Sequence, residues 1–230
     1  MSELDEEPAD DWFPGAEVTP ALYAQWRDAR RGVVHAGKMN NPVWDWLIRT
    51  RISAYTANHH FNGPDSLSAG PAWCFARFGQ SRTVLPDGRT LLVAGEHEDF
   101  YDPDFFIYND VVVRHPDDTI DIHGYPASDF PPTDFHSATL VGDRLILIGS
   151  LGYAENRKPG QTQVLSLDIH SLRIEKIETS GDKPGWIFKH NAALENDCIF
   201  VRGGEVQDDN GVLENINDWM LDAGLGIGNA

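Results

Sequence analysis

The residues best suited to chemistry crowd into one stretch, His97–Asp110, which reads HEDFYDPDFFIYND and holds five acids and one histidine among aromatics. Asp99, Asp102 and Asp104 are hard oxygen donors at close spacing, as a calcium site requires. The stretch lacks the glycine and terminal glutamate of an EF-hand loop, and Pro103 stiffens its middle. Glu96 and Asp99 offer a carboxylate pair for acid–base work. A third option is histidine: His136 and His190 open two similar segments, HSATLVGDRLILIG and HNAALENDCIFVRG. With Glu96 and His97 they would form a ring of polar groups able to hold a transition metal through neutral imidazoles. Against this stands an architectural reading, because equal positions in a repeat favour a repeated hydrogen bond to an adjacent strand or loop. Nucleophilic chemistry finds little support. Neither Ser81 nor Ser137 lies in a Gly-x-Ser-x-Gly elbow, Cys74 sits between Trp73 and Phe75, and Cys198 lies in an apolar strand.

Three segments must position these groups: Gln80–Gly95, His136–Gly149 and His190–Gly203, whose starts are 56 and 54 residues apart. Each predicts a short strand, a tight turn and an apolar strand ending at glycine. The turns Pro86-Asp87-Gly88, Gly142-Asp143 and Asn196-Asp197 carry strong hairpin chemistry. A third strand is predicted at 107–113, 162–168 and 215–221, with Asn109-Asp110 echoed by Asn217-Asp218, and a fourth at 119–123 and 172–177. Residues 1–18 read as an acidic, flexible tail. Residues 19–70 read as a helical segment, starting at Thr19-Pro20 and ending at Gly32, then restarting at Asn41-Pro42 and running to about Asn62-Gly63-Pro64. Residues 71–230 form the strand region, in units of about 78–133, 134–187 and 188–221.

A period near fifty with four strands per unit is the pattern of a propeller blade. On these hairpins, closing glycines and third strands, the sequence resembles the kelch-repeat (galactose-oxidase-like β-propeller) family over roughly 78–221. The resemblance implies kelch-type blades, giving with the helical segment read above a mainly β fold with a short α-helical N-terminal part, and protein–protein contact as the commonest use. The family usually closes six or seven blades, whereas this chain offers two complete blades and part of a third. The expected ring is therefore incomplete, its open faces covered by the Trp-rich segment 41–61 or by a second copy, or left by truncation. A copper oxidase falls within the family's range, but no matching ligand motif is present and no residue is carried over.

Thirty-six acids face eighteen bases, a formal charge of −18. That balance argues against nonspecific nucleic-acid binding and against anionic membranes, and it favours a basic protein partner. Six bases (Arg27, Arg30, Arg31, Lys38, Arg49, Arg51) fall in the helical segment, which is expected to lie against the acidic remainder. Two cysteines and the lack of a signal-peptide pattern or long apolar run predict a cytoplasmic protein. The expected function is a non-enzymatic interaction module without cofactor, such as an inhibitor or immunity-type binder. Its contact residues would be Glu96, His97, Glu98, Asp99, Tyr101, Asp102 and Asp104, with His136 and His190 at the channel mouth. A metal-dependent enzyme and a self-associating fragment are the alternatives.

Overall fold

A computed structural model of the chain describes residues 17–97 and 102–222. Four short helices come first: α1 (Pro20–Trp26), α2 (Pro42–Thr50), α3 (Ala54–His60) and α4 (Ser66–Ala69), with a short strand β1 (Gly37–Lys38) after α1. Both predicted starts are real caps. Thr19 Oγ1 accepts from Leu22 N at 3.2 Å, and Asn41 Oδ1 accepts from the N–H groups of Val43 and Trp44 at 3.0 and 3.1 Å. Proline follows each cap at the first helical position. The lengths differ from expectation. Instead of reaching Gly32, α1 ends at Trp26, whose carbonyl accepts from the Asn41 side chain. The second run breaks where Arg51 takes a left-handed backbone at φ 59°, and Ser53 then caps a new helix by accepting from Thr56 N. Val18, expected to belong to the tail, is buried in the helical core.

The rest of the described chain is mainly antiparallel β. The first unit holds β2 (Ser81–Val84), β3 (Thr90–Val93), β4 (Glu96–His97), β5 (Phe106–Ile107), β6 (Asp110–Arg114) and β7 (Ile120–Gly124). The second holds β8 (Ser137–Val141), β9 (Arg144–Ile148), β10 (Val164–Asp168) and β11 (Ile174–Lys176). The third holds β12 (Trp186–Phe188), β13 (Asn191–Glu195), β14 (Cys198–Arg202), β15 (Glu205–Asp208), β16 (Gly211–Glu214) and β17 (Trp219–Asp222). The main sheets are ordered β1-β7-β6-β3-β2, β11-β10-β9-β8 and β13-β14-β17, with smaller sheets β12-β15-β16 and β4-β5. All three hairpins form where the turn chemistry places them, and Asn196 and Asp197 both take positive φ, as a type I′ turn demands. The two residues of β1 come from the helical segment yet pair with His123 and Gly124, so that segment extends the first sheet.

The sheets stack face to face. Strand alternation sends Leu91, Val93, Val111 and Val113 of the first sheet against Leu145, Leu147, Leu165 and Leu167 of the second. The second sheet turns Ile146, Ile148 and Val164 toward Ile187, Ile199 and Val201. The remaining face of the first sheet, with Val112 and Ile122, is covered by Trp44, Trp46, Leu47 and Ile48 of α2. Trp44 stacks on Trp73 with ring centroids 4.9 Å apart, and both rings are fully buried. The segment 41–61 thus covers one end of the stack, as the sequence suggested. Several bases of residues 19–70 are satisfied close to home. Arg27 serves Asn58 Oδ1 and two carbonyls of residues 64 and 70, and Arg49 pairs with Asp45 and Glu17. Lys38, by contrast, reaches Asp121 in the first sheet, and Arg31 the Ile107 carbonyl and Asn109 Oδ1.

The IYND half of the opening stretch is architectural. Asn109 donates to the carbonyls of Tyr125 and Phe130, and Asp110 accepts from Trp73 Nε1 and Arg77 Nη2, each at 3.0 Å. The Arg77 guanidinium is fully buried and lies 3.4 Å from the Tyr108 ring centroid. The echo at Asn217-Asp218 is one residue out of register. Tyr108 N bonds Gly95 O just as Asn215 N bonds Gly204 O, so Asp110 corresponds to Asn217 and not to Asp218. Replacing Asp110 would strand a buried arginine charge. Asp110→Ala is expected to lose about 3–5 kcal/mol of stability in urea denaturation, and a loss within the range of a surface substitution would refute that account.

Candidate functional site

The two histidines resolve first. His136 and His190 immediately precede β8 and β13, and each reaches back to the preceding unit. His136 Nε2 lies 2.8 Å from Ser81 Oγ, and His190 Nε2 lies 2.8 Å from Ser137 Oγ. One residue earlier the backbone repeats the gesture: Phe135 N donates to Gly79 O at 3.0 Å and Lys189 N donates to Phe135 O at 2.8 Å. The residues 79, 135 and 189 all hold positive φ, at 61°, 47° and 55°. Gln80, equivalent to the two histidines, has no unit behind it and donates instead to Ala94 O. The histidines are pins between units.

Both imidazoles are buried, and neither Nδ1 has a hydrogen-bond partner among the described residues. Burial pushes the His136 pKa down to about 3, with His190 nearby adding to the shift, and pushes His190 down to about 4. Both are neutral near pH 7. Their Nε2 atoms are committed to serines, so they are not poised at an open channel mouth. Among the described residues no group of three or more His, Cys, Asp or Glu is placed to hold a metal ion.

The acidic loop is held at both ends. Glu96 and His97 pair with Ile107 and Phe106 in the two-stranded sheet, and both side chains are half-buried. Ile107 N donates to Tyr153 Oη at 2.9 Å, and Phe105 meets the Tyr153 ring edge-on at 5.5 Å. The loop is thereby tied to the second unit. Asp102 is exposed and Asp104 half-buried; Glu98, Asp99 and Tyr101 lie outside the described residues. The sequence-predicted residues therefore divide. The histidines join units, while Asp102 at the loop is exposed and Asp104 half-buried.

Sequence reasoning passed over Asp134, two residues before His136 and fully buried. Its Oδ1 accepts from Gly152 N at 2.6 Å and from Ser150 Oγ at 3.2 Å, and Ser150 follows the closing glycine of the second hairpin. Its Oδ2 is buried without a hydrogen-bond partner among the described residues, and burial raises the pKa of Asp134. An acid between Thr133 and Phe135, outside any charge run, gave no signal of burial in the sequence.

No protein-family model and no curated protein matches the chain. No described helix is long and apolar enough to cross a membrane.

These groups give stability two opposite dependences on pH. The histidines have depressed folded-state values, so the stability they allow is full above the unfolded pKa near 6.5 and is lost as pH falls toward about 4 and 3. Asp134 is raised, so its contribution is full at low pH and is lost as pH rises through its folded value. Glutamine keeps a hydrogen-bonding side chain while removing the titratable imidazole, so His136→Gln is expected to flatten the rise of stability between about pH 4 and 6 by about 1.4 kcal/mol per pH unit. Urea midpoints across that range check this, and an unchanged slope refutes it. Asp134→Asn should in turn remove the opposing fall.

Proposed function

We propose that the three units are kelch-like propeller blades and that the chain is a non-enzymatic protein-interaction module for a basic partner. The blade reading is supported by four-stranded antiparallel order in the second unit, by first strands β2, β8 and β13 lying side by side, and by the 54–56-residue recurrence of the joint at 79, 135 and 189. One observation carries the interaction reading. Of eleven exposed large hydrophobic side chains among the described residues, five (Leu194, Val212, Leu213, Ile216 and Met220) lie within the third unit. Residues 188–222 carry eight acids against two bases. Apolar surface rimmed by one sign of charge is the ordinary mark of a protein contact.

Acidic surface speeds encounter with a basic partner, and such steering weakens with salt. The full chain, immobilised and offered native lysate, is expected to retain a saturable partner of basic isoelectric point. Its association rate should fall at least tenfold between ~0.05 and ~0.5 M salt. A partner that is acidic, or whose association ignores salt, overturns the charge argument; no saturable partner overturns the function.

A second reading, self-association, has its own support. The far face of the third sheet carries the row Ala193, Phe200 and Met220, with Met220 62% exposed, where the equivalent faces of the other two sheets are covered. Mass measurement in solution decides it: a monomer at tens of micromolar that melts in one cooperative step removes this reading.

A further inference from the structure

The small sheet β12-β15-β16 ends at β16, whose outer edge has no neighbouring strand among the described residues. The ladder gives three cross-strand rows: Trp186–Gln207–Val212, Ile187–Val206–Leu213 and Phe188–Glu205–Glu214. Each starts on a buried side chain of β12 and ends on an exposed one at the open edge, with Val212 48% and Leu213 58% exposed. The third row sets two glutamates directly opposite each other, an arrangement that destabilises an antiparallel pair. Lys189 meets one of them, Glu205, at 3.4 Å, and Glu214 has no ion pair among the described residues. An open groove of about 610 Å³ runs alongside, lined by Lys189, Gly204, Glu205, Val212, Leu213 and Glu214.

Every second residue of an antiparallel edge strand turns its N–H and C=O outward, ready to pair with another strand. An unpaired edge with exposed apolar residues and no lysine of its own can serve as a template for strand addition. Which strand it accepts follows from the rows. The place beside Leu213 favours an apolar side chain, and the place beside Glu214 favours a cation, which would offset the unmatched glutamate. A second copy of this chain answers poorly, since it would bring its own acids to that edge at a formal charge of −18.

We propose that β16 is a docking edge that takes an extended segment of a partner protein by strand addition, with a lysine or arginine beside Glu214 and an apolar residue beside Leu213. This rests on the interaction-module reading above and assigns its contact to the β16 edge in place of the 96–104 loop.

The probe is a nine-residue peptide alternating valine and lysine, with a valine–glutamate peptide as control, titrated into the ¹⁵N-labelled full chain. The lysine peptide should bind saturably, shift the amides of residues 211–214 and slow their hydrogen exchange at least tenfold, while the control does none of this. Glu214→Lys should weaken binding at least tenfold without lowering the melting temperature, because it also relieves the pair with Glu205. Leu213→Ser is a second variant, which removes the apolar place without changing charge and is expected to weaken binding of the same peptide with the fold intact. Shifts centred elsewhere, unchanged affinity in Glu214→Lys, or a homodimer that this variant abolishes would each overturn the proposal. A basic lysate partner that binds Glu214→Lys as tightly as the parent chain overturns the docking edge and leaves the interaction module standing. Absence of any saturable partner, peptide included, overturns both.

Discussion

Phe135 gives its N–H to Gly79 and Lys189 gives its N–H to Phe135, each from a left-handed backbone, and the imidazole that follows reaches a serine of the same preceding unit. A non-glycine residue held at positive φ costs on the order of 1–3 kcal/mol and persists only where its surroundings over-determine it. Here they do. At Gly79 the constraint is steric as well, because a Cβ there would lie 2.3 Å from Phe135 N. The backbone bond sets the spacing of adjacent units, and the side-chain bond sets the orientation of the strand that follows. The apolar faces of successive sheets then meet in register, and the stack becomes one body instead of three hairpins.

The hairpins were legible because their signals are local. A Pro-Asp-Gly, a Gly-Asp and an Asn-Asp turn between apolar runs leave few alternatives, and the glycine or alanine at 94, 149 and 203 takes positive φ in every unit. The helix starts were legible for the same reason, since Thr-Pro and Asn-Pro each fix a cap. What failed were features set by distant partners. The stop at Trp26 depends on Asn41, and the break at Arg51 carries neither glycine nor proline to announce it. The Asn-Asp echo misled because identical dipeptides fell one residue apart in a period-two ladder, where a single step reverses every side chain. The strands β12, β15 and β16 were missed because β12 is three residues long and β15 shows no alternation of burial.

The candidate site followed the same division. Repetition in the sequence identified His136 and His190 as equivalent, and equivalence proved to mean a shared structural bond. The acids of the loop after Gly95 drew attention by their number, yet Asp134, fully buried, stands alone in the sequence and acquires its environment only when Ser150 and Gly152 close over it. The polar residues that matter most to the joint between units are thus those that the chain buries.

The two ends of the stack differ in chemistry as well as in cover. Residues 19–70 carry six bases against three acids, and several of those bases are consumed inside the segment that caps the first sheet. At the other end, both bases of residues 188–222 are held by acids of the same unit, Lys189 by Glu205 and Arg202 by Glu195 and Asp218. Negative charge is therefore left concentrated where apolar side chains are least covered. The hairpin β15–β16 has no fully buried residue, so it adds little to the common core and opens more readily than the sheets behind it. A segment in that condition gains much from a neighbour and risks little of the fold in taking one. The covered end secures stability, which leaves the open end free to be shaped for contact.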